Sequence, residues 1–264
     1  MISQETVLFL LPVFVITKAS NLALLLVIAV APTVFLLWFF YHADRYKHES
    51  RKLLAVTFFI GALMIGPAII IELVLRAFIP DGPGIISIFI YYVFGVAIVE
   101  ESLKVLSVRV YAYKSPRFNE PMDGLILGVA AALGFATVEN ILYVLSSGLI
   151  TGIVRALTSV PSHALFGAIS GYYLGEAKFR KKWYLVFKGL IAAILLHAIF
   201  DTVATAVPNL IGVVALGAFT LVVYYRIVRG EIKEAEQESP FKPDKPVSAT
   251  LVSYVSRVRS FLFD

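Results

Sequence analysis

The feature that most constrains this chain is a succession of apolar runs, each long enough for a helix to cross a lipid bilayer. About 20 mostly apolar residues span the hydrocarbon core. Runs of that kind occupy approximately residues 20–41, 53–79, 84–113, 122–148, 152–177, 183–207 and 210–228. The expected fold is therefore all-α: a polytopic transmembrane helix bundle of about seven spans, filling residues 1–230. An eighth would be added if Thr6–Ile16 crossed, but that stretch is short and contains Pro12, so an interfacial or re-entrant segment is expected. A signal peptide is the weaker reading, because no basic region precedes it. Composition agrees, with 59% apolar and 16% charged residues against about 45–50% and 25% in soluble domains. The absence of cysteine excludes disulfides, thiolate metal sites and a cysteine nucleophile.

The loops assign an orientation. Arg45, Lys47, Arg51 and Lys52 lie between the first two runs, and Lys114 and Arg117 between the third and fourth. Lys178, Arg180, Lys181 and Lys182 separate the fifth from the sixth, and Arg226, Arg229 and Lys233 follow the seventh. The alternate loops, Pro80–Pro83, Gly148–Arg155 and Pro208–Asn209, contain a single basic residue, Arg155. Lysine and arginine favour the cytoplasmic side. The pattern predicts a multi-pass protein of the cell membrane with its N-terminus outside and its C-terminus cytoplasmic. The net charge of +5 is thus topology information, and no nucleic-acid partner is expected. Residues 231–264 form a cytoplasmic tail. Its polar, proline-containing part, Gly230–Pro246, is expected to be disordered, and Val247–Phe263 to lie on the membrane surface.

A charge inside the bilayer costs several kcal/mol, from about 2.5 upward, and so points to function. The third run holds Glu100, Glu101 and Lys104; the fourth, Glu139 with Asn140; the fifth, His163; the sixth, His197 and Asp201. At about 1.5 Å per helical residue, His163 and His197 lie about 20 Å from the cytoplasmic ends and Glu139 somewhat deeper. The two adjacent glutamates reach that depth only if the third helix continues to Lys114, so a long third helix is expected. The helix faces agree. His163 shares a stripe with Gly167, Gly171 and Gly175; Glu139 with Phe135, Gly128 and Gly124; His197 with Ala193 and Gly189. Small residues at this spacing mark helix contacts, so these polar groups point into the bundle. Glu72 and Arg76 read as a plain i,i+4 pair near the outer end, and Asp123 as an acid complementing a helix N-terminus.

Taken in order, Glu100-Glu101-Ser102-Leu103-Lys104, Asp123-Gly124, Phe135 through Glu139-Asn140, His163, and His197 through Asp201 resemble the PrsW family of intramembrane endopeptidases. That family belongs to a superfamily that includes the CAAX prenyl proteases. Asp44-Arg45-Tyr46 and the Gly61–Glu72 region add to the likeness, which covers roughly residues 40–205. No single motif is specific; their order and spacing together are. The CAAX enzymes usually carry histidine where Glu139 stands, and this sequence follows the PrsW branch. The resemblance implies hydrolysis of peptide bonds within a membrane-embedded protein substrate.

Without cysteine, a peptide hydrolase must activate water, and a desolvated carboxylate suits a general base. Adjacent helical residues point about 100° apart, so Glu100 and Glu101 cannot share a role; the sequence leaves open which is the base. Lys104, three and four residues on, can neutralise either. His163 and His197 suit stabilisation of an oxyanion, with Asp201 orienting His197. Glu139 can hold the water or receive a proton, and Asn140 supports structure or substrate. A metal-free site is the leading expectation, with no cofactor. The alternative is zinc bound by Glu139, His163 and His197. Competing functions are a proton-coupled transporter or channel and a non-catalytic scaffold. Against transport, the polar groups cluster at one depth and no inverted repeat is visible. The oligomeric state is left open.

Overall fold

The computed structural model describes residues 19–79 and 82–243. Every regular element among them is helical. Helix α1 (Ala19–Ala43) is followed by α2 (Arg51–Leu63), whose first turn is capped by the Ser50 hydroxyl accepting from the Leu53 amide. A break at Met64 separates α2 from α3 (Ile65–Arg76), and the two cross together as one span. The third span joins α4 (Ile85–Tyr91), a π-helical stretch at Tyr92–Ala97 and α5 (Ile98–Val110), and a tight turn at Ala112–Lys114 completes it. This is the long third helix that the depth argument requires. Arg109 near its end lies 4.4 Å from the Tyr113 ring centroid and 5.6 Å from that of Trp183. Then come α6 (Pro121–Leu157), α7 (Ser159–Arg180), α8 (Tyr184–Ala206) and α9 (Leu210–Val223), which runs through a π-helical turn, Tyr224–Val228, into α10 (Arg229–Glu238).

Of these seven continuous segments, six are long and apolar enough to cross a membrane. The seventh is α7, and its composition follows from its position. From Ser162 through Tyr172 every residue is buried, so α7 meets protein where other helices meet lipid. It packs along α6, itself buried without interruption from Pro121 to Thr137. Facing glycines let the two backbones touch. A Cβ on Gly128 would collide with the Gly167 carbonyl oxygen, and one on Gly171 would sit 2.8 Å from the Gly128 Cα. Around this pair the outer helices turn Phe35, Phe59, Ile70 and Phe187 outward, each at least 60% exposed, as a bilayer-facing surface requires. The protein is a multi-pass membrane bundle.

Two expectations change. Gly148–Arg155 is not an outer loop. At Gly148 the backbone takes φ 83° and ψ −170°, a region essentially restricted to glycine. The chain bends there and resumes a helix to Leu157, carrying Arg155 inward. At the other end, the tail does not become irregular at Gly230. Residues 229–238 are helical, with Glu231 and Ala235 buried and Ala235 part of the main apolar core. Thr6–Ile16 and Val247–Phe263 lie outside the described residues.

Candidate active site

The polar residues singled out in four different runs converge on one buried cluster. Lys104 is its hub. Its ammonium donates to Glu100 Oε2 at 3.0 Å, to Glu101 Oε1 at 2.8 Å and to His163 Nδ1 at 2.9 Å. It also sits 4.6 Å from the Phe135 ring centroid. The spacing of Glu100, Glu101 and Lys104 on α5 allows this, because residues three and four apart on a helix are neighbours. Lys104 therefore pairs with both glutamates at once.

The histidines differ in their partners. An ammonium can only donate, so His163 Nδ1 accepts from Lys104 and its Nε2, 3.0 Å from Glu139 Oε2, carries the proton. His197 faces carboxylates at both ends: Nδ1 lies 2.8 Å from Glu101 Oε1 and Nε2 3.2 Å from Asp201 Oδ2. That is the pattern of an imidazole donating twice. The rings are 5.1 Å apart, edge to face, and Phe166 stacks on His197 at 5.5 Å. Asp201 thus orients His197 as its i+4 position suggests, and Glu101 holds the other nitrogen.

Glu139 and Asn140 are tied to a residue that sequence reasoning missed. Arg155, carried inward by the bend at Gly148, pairs with Glu139 at 3.0 Å and donates from Nε to Asn140 Oδ1 at 3.1 Å. Its guanidinium lies 3.9 Å from the Tyr143 ring centroid. Asn140 in turn donates to the Ala29 carbonyl at 3.0 Å, bracing α1 against α6. The available signal was that Arg155 is the one basic residue in the alternate loops.

A cavity of about 810 Å³ adjoins the cluster, lined among others by Glu72, Arg76, Tyr92, Glu100, Glu139 and Asp201. It reaches Val207–Asn209 at the α8–α9 turn, the end of the bundle away from the basic loops. Glu100 faces this space, whereas Glu101 has no exposed surface. Glu72 and Arg76, read from sequence as an incidental pair, both line it. Asp123 takes no part in this cluster; its Oδ2 accepts from the amides of Asn119 and Glu120 at the N-terminus of α6.

The donor set suits a metal ion. Glu100, Glu101, His163 and His197 each offer a ligand atom, all within 4.8 Å of one another. Glu101 Oε2 is buried without a hydrogen-bond partner among the described residues. Glu139, a ligand in the zinc alternative drawn from sequence, stands outside this set.

A sequence model described as PrsW family intramembrane metalloprotease matches residues 49–228. The chain belongs to the PrsW family. Protease PrsW of Halalkalibacterium halodurans is 39% identical over 186 residues, covering 68% of this chain and 82% of the relative. Protease PrsW of Geobacillus kaustophilus is 36% identical over 210 residues, covering 78% and 90%. Protease PrsW of Bacillus subtilis is 37% identical over 185 residues, covering 68% and 82%. No solved structure matches. Membership of the PrsW family makes this chain an intramembrane protease acting on a protein substrate in the membrane, and the matched residues contain every member of the buried cluster.

Proposed function

We propose that the cluster around Lys104 is the hydrolytic centre of this intramembrane endopeptidase. The observation that carries the reading is convergence: two glutamates, two histidines and a lysine from three helices meet at 2.8–3.0 Å beside a cavity. A bundle needing only helix contacts has no use for so many desolvated charges.

Glu100, which faces the cavity, is assigned as the general base that takes a proton from the attacking water. Glu101 is a positioning residue at this stage: it fixes His197 and, with Glu100, holds the Lys104 ammonium. Without a metal, His163 and His197 are assigned to the developing oxyanion, each turning its Nε2 donor away from its present carboxylate partner, Glu139 or Asp201, as charge develops. Asp201 keeps His197 oriented. Glu139, held by Arg155, fixes the His163 tautomer and can accept a proton during turnover. Asn140 links Arg155 to α1.

The donor set favours zinc dependence, the second of the two expectations drawn from sequence. Zinc would be held by His163, His197 and Glu101 once His197 gives up a proton and the Lys104 ammonium moves off these atoms, a three-ligand arrangement that leaves an open position. When bound, it would acidify water and polarise the scissile carbonyl. Glu100 remains the base. The basic loops support an orientation with the N-terminus outside and the C-terminus cytoplasmic. The test is incubation of the purified, reconstituted protein with a single-span peptide. Site-specific cleavage that disappears in Glu100→Gln supports the reading, and ion flux without cleavage would replace it with transport.

A further inference from the structure

A second charged cluster lies at the cytoplasmic-loop end of the bundle, away from the histidines. It is built where the α1–α2 loop meets the N-terminus of α6. Asp44, Glu49, Glu120 and Asp123 are each at most 2% exposed. The cation set among them is the Lys47 ammonium, 2.8 and 3.0 Å from the two oxygens of Asp123 and 3.6 Å from Glu120 Oε1. Lys47 also donates to Asn119 Oδ1 at 2.7 Å and to the Arg117 carbonyl at 3.2 Å. Two of the four carboxyl groups therefore share one ammonium.

The negative charge is not fully matched by donors. Asp44 Oδ1 accepts from the amides of Tyr46 and Lys47, and Glu49 Oε1 from that of Ser50 at 2.6 Å. Among the described residues no donor reaches Asp44 Oδ2 or Glu49 Oε2, both buried. Leaving such oxygens desolvated and unpaired is costly, so something positive belongs there.

We propose that this pocket binds one hard divalent cation, of the calcium or magnesium class, through Asp44, Glu120 and Asp123. Ligand oxygens of these three residues lie within 4.8 Å of one another. A calcium ion with oxygens at about 2.3–2.6 Å places opposed ligands about 5 Å apart. The all-oxygen donor set suits hard cations, where the histidine cluster suits zinc. Lys47 serves as the internal counter-ion that the cation displaces. The ion ties the α1–α2 loop to the start of α6, the helix that carries Glu139.

The full chain, purified in detergent and stripped with chelator, is titrated separately with CaCl2, MgCl2 and MnCl2 by calorimetry, with thermal unfolding followed in parallel. The expected result is one ion per chain for at least one of the three, with a dissociation constant of about 10⁻³ M or tighter and a raised Tm. Binding weakens at least about tenfold in Asp44→Asn and in Glu120→Gln and tightens in Lys47→Gln. His163→Ala leaves it intact, which separates this pocket from the histidine cluster. The readout is binding, so the result stands apart from the assignment of the hydrolytic centre. If Asp44→Asn does not fold, Glu120→Gln and Lys47→Gln decide. No binding by about 10 mM of any of the three ions, well above the range of extracellular calcium modules, overturns the proposal. So does binding that both carboxamide variants retain.

Discussion

Arg155 reaches back across the bend at Gly148 to hold Glu139 at 3.0 Å. The short helix after the bend thus supplies the positive partner for a carboxylate that also contacts a histidine. Glu139 joins Arg155 on one side to His163 on the other, so the position of the imidazole depends on a residue outside the cluster.

Replacing Arg155 by methionine should lower kcat by about 10²-fold, the usual cost of a small misplacement in a catalytic group. Arg155→Lys should recover part of this, because it restores the charge without the paired contacts to Glu139 and Asn140. Turnover of a fluorogenic single-span peptide measures both. Equal activity in wild type and Arg155→Met would remove Arg155 from the site.

The two adjacent glutamates should separate in their effects. Glu100→Gln is expected to lower turnover by about 10²–10⁴-fold, with a smaller fall in Tm in detergent than Glu101→Gln because Glu100 has one partner in the cluster at hydrogen-bond distance, Lys104. Glu101→Gln should cost stability as well, because it weakens contacts to Lys104 and His197 in a fully buried position. Breaking a buried ion pair costs about 3–5 kcal/mol. Paired measurements of Tm and cleavage distinguish the two, and a larger stability loss in Glu100→Gln would reverse the assignment.

Zinc dependence gives its own outcome. Prolonged chelation should silence the enzyme and added zinc should restore it, with elemental analysis finding close to one zinc per chain. That zinc should be lost in His163→Ala and in His197→Ala. Activity that survives exhaustive chelation would return the site to the metal-free mechanism, with the histidines acting as donors alone.

The glycine contact between α6 and α7 sets the spacing of the site. In Gly171→Ala the new Cβ meets the Gly124 carbonyl oxygen and lies 2.8 Å from the Gly128 Cα. Overpacking of this kind costs about 1–3 kcal/mol, visible as a lowered Tm. Gly217→Ala, with nothing within 4 Å of the new methyl, should leave the Tm unchanged or slightly raised.

Orientation is tested by labelling, because the chain contains no cysteine. A single cysteine at Pro83 should react with an impermeant thiol reagent in intact cells. One at Lys182 should react only after lysis; both positions are exposed. The opposite pattern would invert the topology.

By itself the sequence determined that the chain is a membrane helix bundle and which residues are its exceptional ones. Both follow from local chemistry: apolar runs have the length of a bilayer, and Glu100, Glu101, Glu139, His163, His197 and Asp201 are expensive wherever lipid surrounds them. The glycine stripes even named the faces that meet. Only the tertiary structure decided the pairings. That Lys104 serves both glutamates and His163, and that Glu100 faces the cavity while Glu101 lies behind it, depends on how three helices rotate against one another. Helical periodicity places a side chain on a face, but not opposite a particular partner. Arg155 shows the limit most clearly. In the sequence it is one basic residue in a short stretch between two spans, and a single glycine at φ 83° turns that stretch inward. The information is a backbone dihedral at Gly148 whose effect is read at Arg155, and no pattern of hydrophobicity encodes it.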